Sequence, residues 1–218
     1  DKLSALTGKI SLNHFNSVND SDFKKCLQHK KGAIILVSHL GNFEICRVTL
    51  GQNSAAKFNV FMHTKNSGKI SKVMKSLNSK HDLSIIQGDE LTLPTVMKLK
   101  EKVDAGEFVV IAGDRVPVKN SNGTLQAEFL GSKARFPIGP FVLAKVLECP
   151  IITLYCLKNK KKYDLFFDLI IEKITFTRKN RNQVLQQAIE KYVSNLEFYA
   201  KKAPLQWHNF HQFWTNKS

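Results

Sequence analysis

Six short apolar runs, most of them rich in β-branched residues, recur along the chain at residues 33–37, 58–62, 83–87, 108–112, 151–157 and 163–170. Runs of this length with little polar alternation read as strands covered on both faces. Segments of helical period separate them. Ile70, Val73, Met74 and Leu77 repeat at three and four. Residues 91–103 carry Pro94 near the start and Gly106 just past the end, the usual asymmetry of a helix. Residues 139–147 form a short apolar helix that feeds the strand at Ile151, and residues 182–200 place Leu185, Ala188, Ile189, Tyr192, Leu196 and Tyr199 on one stripe. Strands alternating with helices predict a single α/β domain over residues 1–218, with a largely parallel sheet covered by helices. The lysine-rich turn at 158–162 predicts that 163–170 returns as a hairpin partner, so the sheet is expected to be mixed. A turn-rich loop is expected at 119–123.

A chain of 218 residues buries a core without disulfide or metal staples. Its 43% hydrophobic and 23% charged residues exclude wholesale disorder and a fibrous repeat. Charge is the outlier. Lys and Arg number 33 against 18 Asp and Glu, a formal net of +15 that favours anionic bilayers, acidic carrier proteins, phosphorylated cofactors or nucleic acid. Cys26, Cys46, Cys149 and Cys156 lack C-x-x-C spacing and read as reduced core cysteines. No apolar stretch reaches the roughly 18 residues that a spanning helix needs, and no signal-peptide pattern is present.

The run AIILVSHLGNFE at 33–44 carries the chemistry. A buried strand ends at Ser38 and His39, Gly41 follows, and Asn42 is placed to cap a helix beginning at Phe43. Reactive groups of open α/β sheets collect at the carboxyl ends of strands, where this places His39. On one continuous helix His39 and Glu44 would be separated by about 500° of rotation. Across a strand, a turn and a first helical turn they can meet. A carboxylate on one imidazole nitrogen fixes the tautomer, so the other nitrogen can take a proton from an attacking hydroxyl. That is the histidine and acid half of a triad without a protein nucleophile.

His39-x-x-x-x-Glu44 within SHLGNFE resembles the H-x4-D/E signature of the lysophospholipid acyltransferase superfamily, in the branch of the late lipid A acyltransferases and related predicted acyltransferases of bacterial lipid and aryl-polyene pigment pathways. GEFVVIAGDRVPV (106–118), AEFLGSKARFPIGPFVLAKVLECPI (127–151) and PLQWHNFHQFW (204–214) are similar to later blocks of that branch, in the same order. The resemblance implies a glycerolipid acyltransferase-like fold and acyl transfer to a hydroxyl or amine of a lipid-like acceptor. It further implies His39 as general base, Glu44 as its partner, and an acyl carrier protein or coenzyme A thioester as donor, with no bound cofactor. The expected place of action is the cytoplasmic face of a bacterial inner membrane. Relatives carry an amino-terminal hydrophobic helix or hairpin that this chain, beginning at Asp1, does not contain; either such a segment lies upstream or surface charge and aromatics make the membrane contact. The glycerolipid branch has an E-G-T-R core where this chain reads RFPIGPF, which speaks against glycerol phosphate as acceptor.

Other residues keep two readings each. Asp114 and Arg115 follow the strand at 108–112 and either bind substrate, Arg115 through a phosphate, or organise the loop. Arg135, with Lys133, forms either an anion-binding lip or a solvated loop. Gly41 and Asn42 are expected to supply backbone donors for an oxyanion. Arg47, one turn after Phe43, faces the cleft or makes a surface ion pair. Trp207, Phe210, Phe213 and Trp214 cover the core or seat the protein at an interface. His208 and His211 lack a third ligand, so no metal is expected. Two rival functions stay open: a thioesterase using the same His and Glu with water, and a basic nucleic-acid-binding domain supported by charge alone.

Overall fold

The computed structural model describes residues 12–42, 56–62, 83–87, 92–116, 123–209 and 212–215. The helical repeat at Ile70–Leu77, most of the loop at 119–123, and Cys46, Glu44, Arg47, Phe210 and His211 lie outside them.

Strands β1 (Phe15–Asn19), β2 (Ile34–Val37), β3 (Phe58–Met62), β4 (Leu83–Gln87), β5 (Phe108–Ala112), β8 (Ile151–Asn159) and β9 (Lys162–Ile171) form one seven-stranded sheet in the order β1-β9-β8-β2-β5-β3-β4. Every neighbouring pair is parallel except β8 with β9, the hairpin expected across the lysine turn. The mixed, mostly parallel α/β sheet read from the sequence is therefore what the chain forms. The central position of β2 explains its composition. With β5 on one side and β8 on the other, its backbone is fully paired, and Ile34, Ile35, Leu36 and Val37 are all buried.

Alternation sends those side chains to two cores. Ile34 and Leu36 join the larger one, beneath α2 (Leu93–Asp104), α3 (Gly139–Leu147) and α4 (Arg181–Lys202). Ala33, Ile35 and Val37 join the other, where Phe23 of α1 (Ser21–Gln28) stacks 4.5 Å from Phe167 and 5.0 Å from Phe108, ring centre to ring centre. In α4 the stripe Leu185, Ala188, Ile189, Tyr192, Leu196 and Tyr199 is buried as its period requires. Pro94 lies in the first turn of α2, and Gly106 follows its end with φ +85, where an added Cβ would come within 3.0 Å of the Lys30 carbonyl oxygen.

The sequence reading contains no strands at 124–137, yet β6 (Thr124–Phe129) and β7 (Ser132–Pro137) form a separate antiparallel hairpin. Its two-residue turn, Leu130-Gly131, has positive φ at both positions (52 and 79). Such turns favour Asn-Gly or Asp-Gly, so Leu at the first position removes the strongest local hairpin signal. Buried Phe129 and Phe136 anchor the hairpin, Phe136 meeting Tyr192 of α4 edge-on at 6.2 Å. The edge strand β1 and helix α1 are also absent from the sequence reading. Both are mostly polar: α1 buries Phe23 fully and Cys26 and Leu27 in part, a stripe of three residues that leaves little periodicity to read. Among the described residues no helix is long and apolar enough to cross a membrane.

Candidate active site

Strands β2 and β5 run parallel, with Val37 level with Ala112. Two residues past each of these positions stand His39 and Asp114. Gly113 extends the ladder by one bond, its N–H donating to the Val37 carbonyl at 2.9 Å. The two strands thus deliver both side chains to the same point of the sheet's carboxyl edge. Asp114 grips His39 twice: Oδ2 accepts the His39 backbone N–H at 2.7 Å, and Oδ1 lies 2.9 Å from Nδ1 of the ring.

The Asp114 side chain is 1% exposed and the His39 side chain 31%. A buried carboxylate offers only lone pairs to the imidazole, so Nδ1 carries the hydrogen and Nε2 retains its own lone pair. The site is closed from beneath by α4. An added Cβ on Gly113 would fall 2.8 Å from the Tyr192 ring and hydroxyl, so glycine there lets Tyr192 pack against the strand end. Burial holds the Tyr192 phenol well above its ordinary range, and the nearby Asp114 charge adds to the effect. Its hydroxyl has no hydrogen-bond partner among the described residues.

Gly41 has φ +76, and a Cβ there would meet the Cys156 carbonyl oxygen at 2.2 Å. Glycine is required because the chain leaving β2 crosses directly over β8. The amides of this crossing can be accounted for one by one. That of His39 goes to Asp114, that of Leu40 to Ser38 Oγ at 3.2 Å, that of Gly41 to the Gln206 carbonyl at 2.8 Å and that of Asn42 to the Cys156 carbonyl at 2.8 Å. The sequence expectation that Gly41 and Asn42 supply oxyanion donors is therefore corrected: both N–H groups are spent on carbonyls from distant parts of the chain.

The carboxyl-terminal block straps the same loop. His208 N–H donates to the His39 carbonyl at 2.9 Å, and Trp207 forms an antiparallel bridge with Leu40. Trp207 and Phe213 pack edge-on against Phe129 at 5.0 and 5.5 Å, so this part of the aromatic cluster extends the core. Trp214 is more exposed, with its indole N–H on the Phe129 carbonyl at 3.0 Å. Nothing in the spacing of PLQWH announced a strap on His39, since its partners lie more than 160 positions away.

The remaining sequence candidates divide. Arg115 is exposed beside Asp114. Arg135 stands on the outer face of the hairpin, alternating with buried Ala134 and Phe136, and donates to Thr124 Oγ1 at 3.3 Å. Glu44 and Arg47 fall outside the described residues. Among the described residues no group of three or more His, Cys, Asp or Glu is placed to hold a metal ion. An open groove of about 490 Å³ between β6 and α4, lined by Glu128, Glu190, Glu197, Phe198 and Lys201 among others, shares no residue with the His39 edge.

No curated protein matches this sequence. The family model described as bacterial lipid A biosynthesis acyltransferase matches residues 11–216, nearly the whole chain and both strands that carry His39 and Asp114, and the protein therefore belongs to that family of acyltransferases.

Proposed function

We propose that the protein transfers a fatty acyl group from an acyl carrier protein or coenzyme A thioester to a hydroxyl or amine of a lipid-like acceptor, with His39 as general base. The observation that carries the proposal is the two-point grip of buried Asp114 on His39. It fixes the ring plane and leaves Nε2 as the basic atom on a partly exposed side chain. Nε2 takes the proton as the acceptor oxygen or nitrogen attacks the thioester carbonyl. The tetrahedral intermediate then expels the thiolate, which recovers that proton from the imidazolium. Products are the acylated acceptor and the free thiol, with no acyl-enzyme.

In this proposal Asp114 does the orienting that the sequence assigned to Glu44. Glu44, five residues beyond His39, contributes a second negative charge favouring the imidazolium. With the amides of residues 39–42 engaged, the oxyanion is met by a side chain, for which exposed Arg115 is the candidate beside Asp114; Arg47 and Arg135 are candidates for holding the acidic parts of donor or acceptor. The membrane association common to such enzymes is peripheral here, on the cytoplasmic face of a bacterial inner membrane, or reinforced by a segment upstream.

The test is thioester turnover with and without lipid acceptor. Wild-type protein is expected to release thiol only with acceptor present, and His39→Ala to lower that rate by roughly 10³-fold, within the range for loss of a general base, while unfolding at the same temperature. Acceptor-independent release would make the enzyme a thioesterase. Full transfer by a folded His39→Ala protein would remove the mechanism.

A further inference from the structure

The parallel register sets β2 and β8 pointing the same way, with Leu36 level with Thr153. Strand β2 stops at Val37, whereas β8 runs on to Asn159, so the β8–β9 tip stands roughly 15 Å beyond the end of β2 at about 3.3 Å per residue. It projects from the edge that bears His39. The tip is Lys158-Asn159-Lys160-Lys161-Lys162, all exposed. Directly behind it, the Gln206 side chain clasps the backbone of Lys158, accepting its N–H at 2.7 Å and donating to its carbonyl at 2.9 Å. That clasp holds the short helical turn Pro204–Gln206 against the tip, and the turn presents Leu205 at 96% exposure.

Lys202, in the last turn of α4, adds to the basic rim, lying over the Phe166 ring at 4.6 Å. The carboxylates within these elements are engaged: Asp164 accepts from Asn16 and Asn159, and Glu197 pairs with Lys201. An exposed leucine held beside a lysine-rich tip that projects past the His39 edge combines two features. The ammonium groups suit phosphate-bearing surfaces, and the alkyl group suits the boundary where headgroups meet acyl chains.

We infer that the β8–β9 tip and the Leu205 turn form a docking surface for an anionic lipid bilayer, which presents the His39 edge to the membrane. The choice of a bilayer over an acidic protein rests on the reading of His39 as acting on a lipid-like acceptor, because that acceptor resides where the tip would sit. The tip touches headgroups first, and Leu205 enters just below them.

The experiment is co-sedimentation of the full chain with vesicles of phosphatidylcholine alone and of equal parts phosphatidylcholine and phosphatidylglycerol. Each lysine near an anionic surface is worth roughly fivefold in partitioning. The triple variant Lys160→Gln, Lys161→Gln, Lys162→Gln is therefore expected to lose about a hundredfold in affinity for the anionic vesicles, with a weaker salt dependence. Leu205→Ser is expected to lose roughly threefold to tenfold, a loss that persists in high salt. An unchanged thermal unfolding midpoint controls for folding.

Wild type that binds anionic vesicles no better than neutral ones, or variants that bind as well as wild type, overturn the inference. Variants that keep vesicle binding but lose affinity for an acidic acyl carrier protein also overturn it, assigning the surface to that carrier. If the variants lose vesicle binding while wild type transfers no acyl group, the docking surface stands and the catalytic reading falls.

Discussion

Strand β5 carries a carboxylate at each end, and the two have opposite surroundings. Glu107, immediately before the strand, accepts from the Asn59 amide and from the Lys102 ammonium, both at 2.9 Å. Asp114, two residues past the strand, accepts from the backbone and ring of His39. The first pairing joins a carboxylate to a permanent cation and a neutral amide, so nothing in it changes charge near neutral pH. The second joins a more deeply buried carboxylate to a partly exposed imidazole. One end of the strand holds a structural ion pair, and the other meets the ring to which the proposed mechanism gives the proton transfer. The difference follows the general polarity of open α/β sheets, whose carboxyl edges gather reactive groups.

The sharpest way to break this comparison is to neutralise Asp114. Asp114→Asn keeps the shape but turns an acceptor toward a donor, which favours the wrong imidazole tautomer; acyl transfer is expected to fall by roughly 10²- to 10⁴-fold. Glu44→Gln is expected to cost less, roughly tenfold, because it removes a charge and leaves the Asp114 grip intact. Rates measured per folded molecule decide the order. If Glu44→Gln is the more damaging, the orienting role returns to Glu44, and the contact with Asp114 becomes a structural one.

A third carboxylate, only partly buried, tests whether a network of neutral donors makes a site. Asp168 of β9 accepts from Asn195 of α4 at 2.9 Å and from Asn19 of β1; Asn195 in turn accepts from Tyr155 at 2.9 Å and Thr153 at 3.0 Å. Burial drives the Tyr155 phenol well above its ordinary range, and the Asp168 charge pushes the same way. This network has neutral donors throughout and ties four elements together, β1, β8, β9 and α4. Asn195→Ala strands a buried hydroxyl and weakens the hold on a carboxylate, with an expected cost of about 3 kcal/mol in urea unfolding. Activity per folded molecule is expected to be unchanged; a large loss would mean the network reaches His39 through α4.

Much of this was legible in the sequence, for physical reasons that differ by element. Buried parallel strands announce themselves because both faces demand apolar side chains, so β3, β4 and β5 begin and end where the runs do. His39 was legible because a polar residue at the end of such a run has few structural reasons to be there. Its contact with Asp114 was not, although both stand at strand ends, because the neighbour relation of β2 and β5 skips two intervening strands in the chain. The fate of the Gly41 and Asn42 amides was equally hidden, since their acceptors Gln206 and Cys156 lie more than 100 positions away. Hairpin β6–β7 was missed for a local reason, a leucine where its turn type prefers asparagine or aspartate. Sequence reading recovers what one segment dictates about itself and loses what two distant segments settle between them.

The quiet end of β5 offers the smallest effect and the cleanest sign. Partial burial raises the Glu107 carboxyl, but the Asn59 amide and Lys102 outweigh it, so the group lies below its ordinary value in the folded state. A depressed folded value means the unfolded chain binds the proton more readily. The stabilisation is therefore present above the unfolded value, roughly pH 4.3, and is lost as pH falls through the folded one. Glu107→Gln is expected to lower stability at neutral pH by about 1 kcal/mol, as for a partly exposed ion pair with one good hydrogen bond. The gap between wild type and variant should close when urea unfolding is repeated below about pH 4. Thioester turnover per folded molecule should not move at all. A variant whose deficit stays constant with pH would show that Glu107 acts through packing alone, and one that loses activity would erase the contrast between the two ends of the strand.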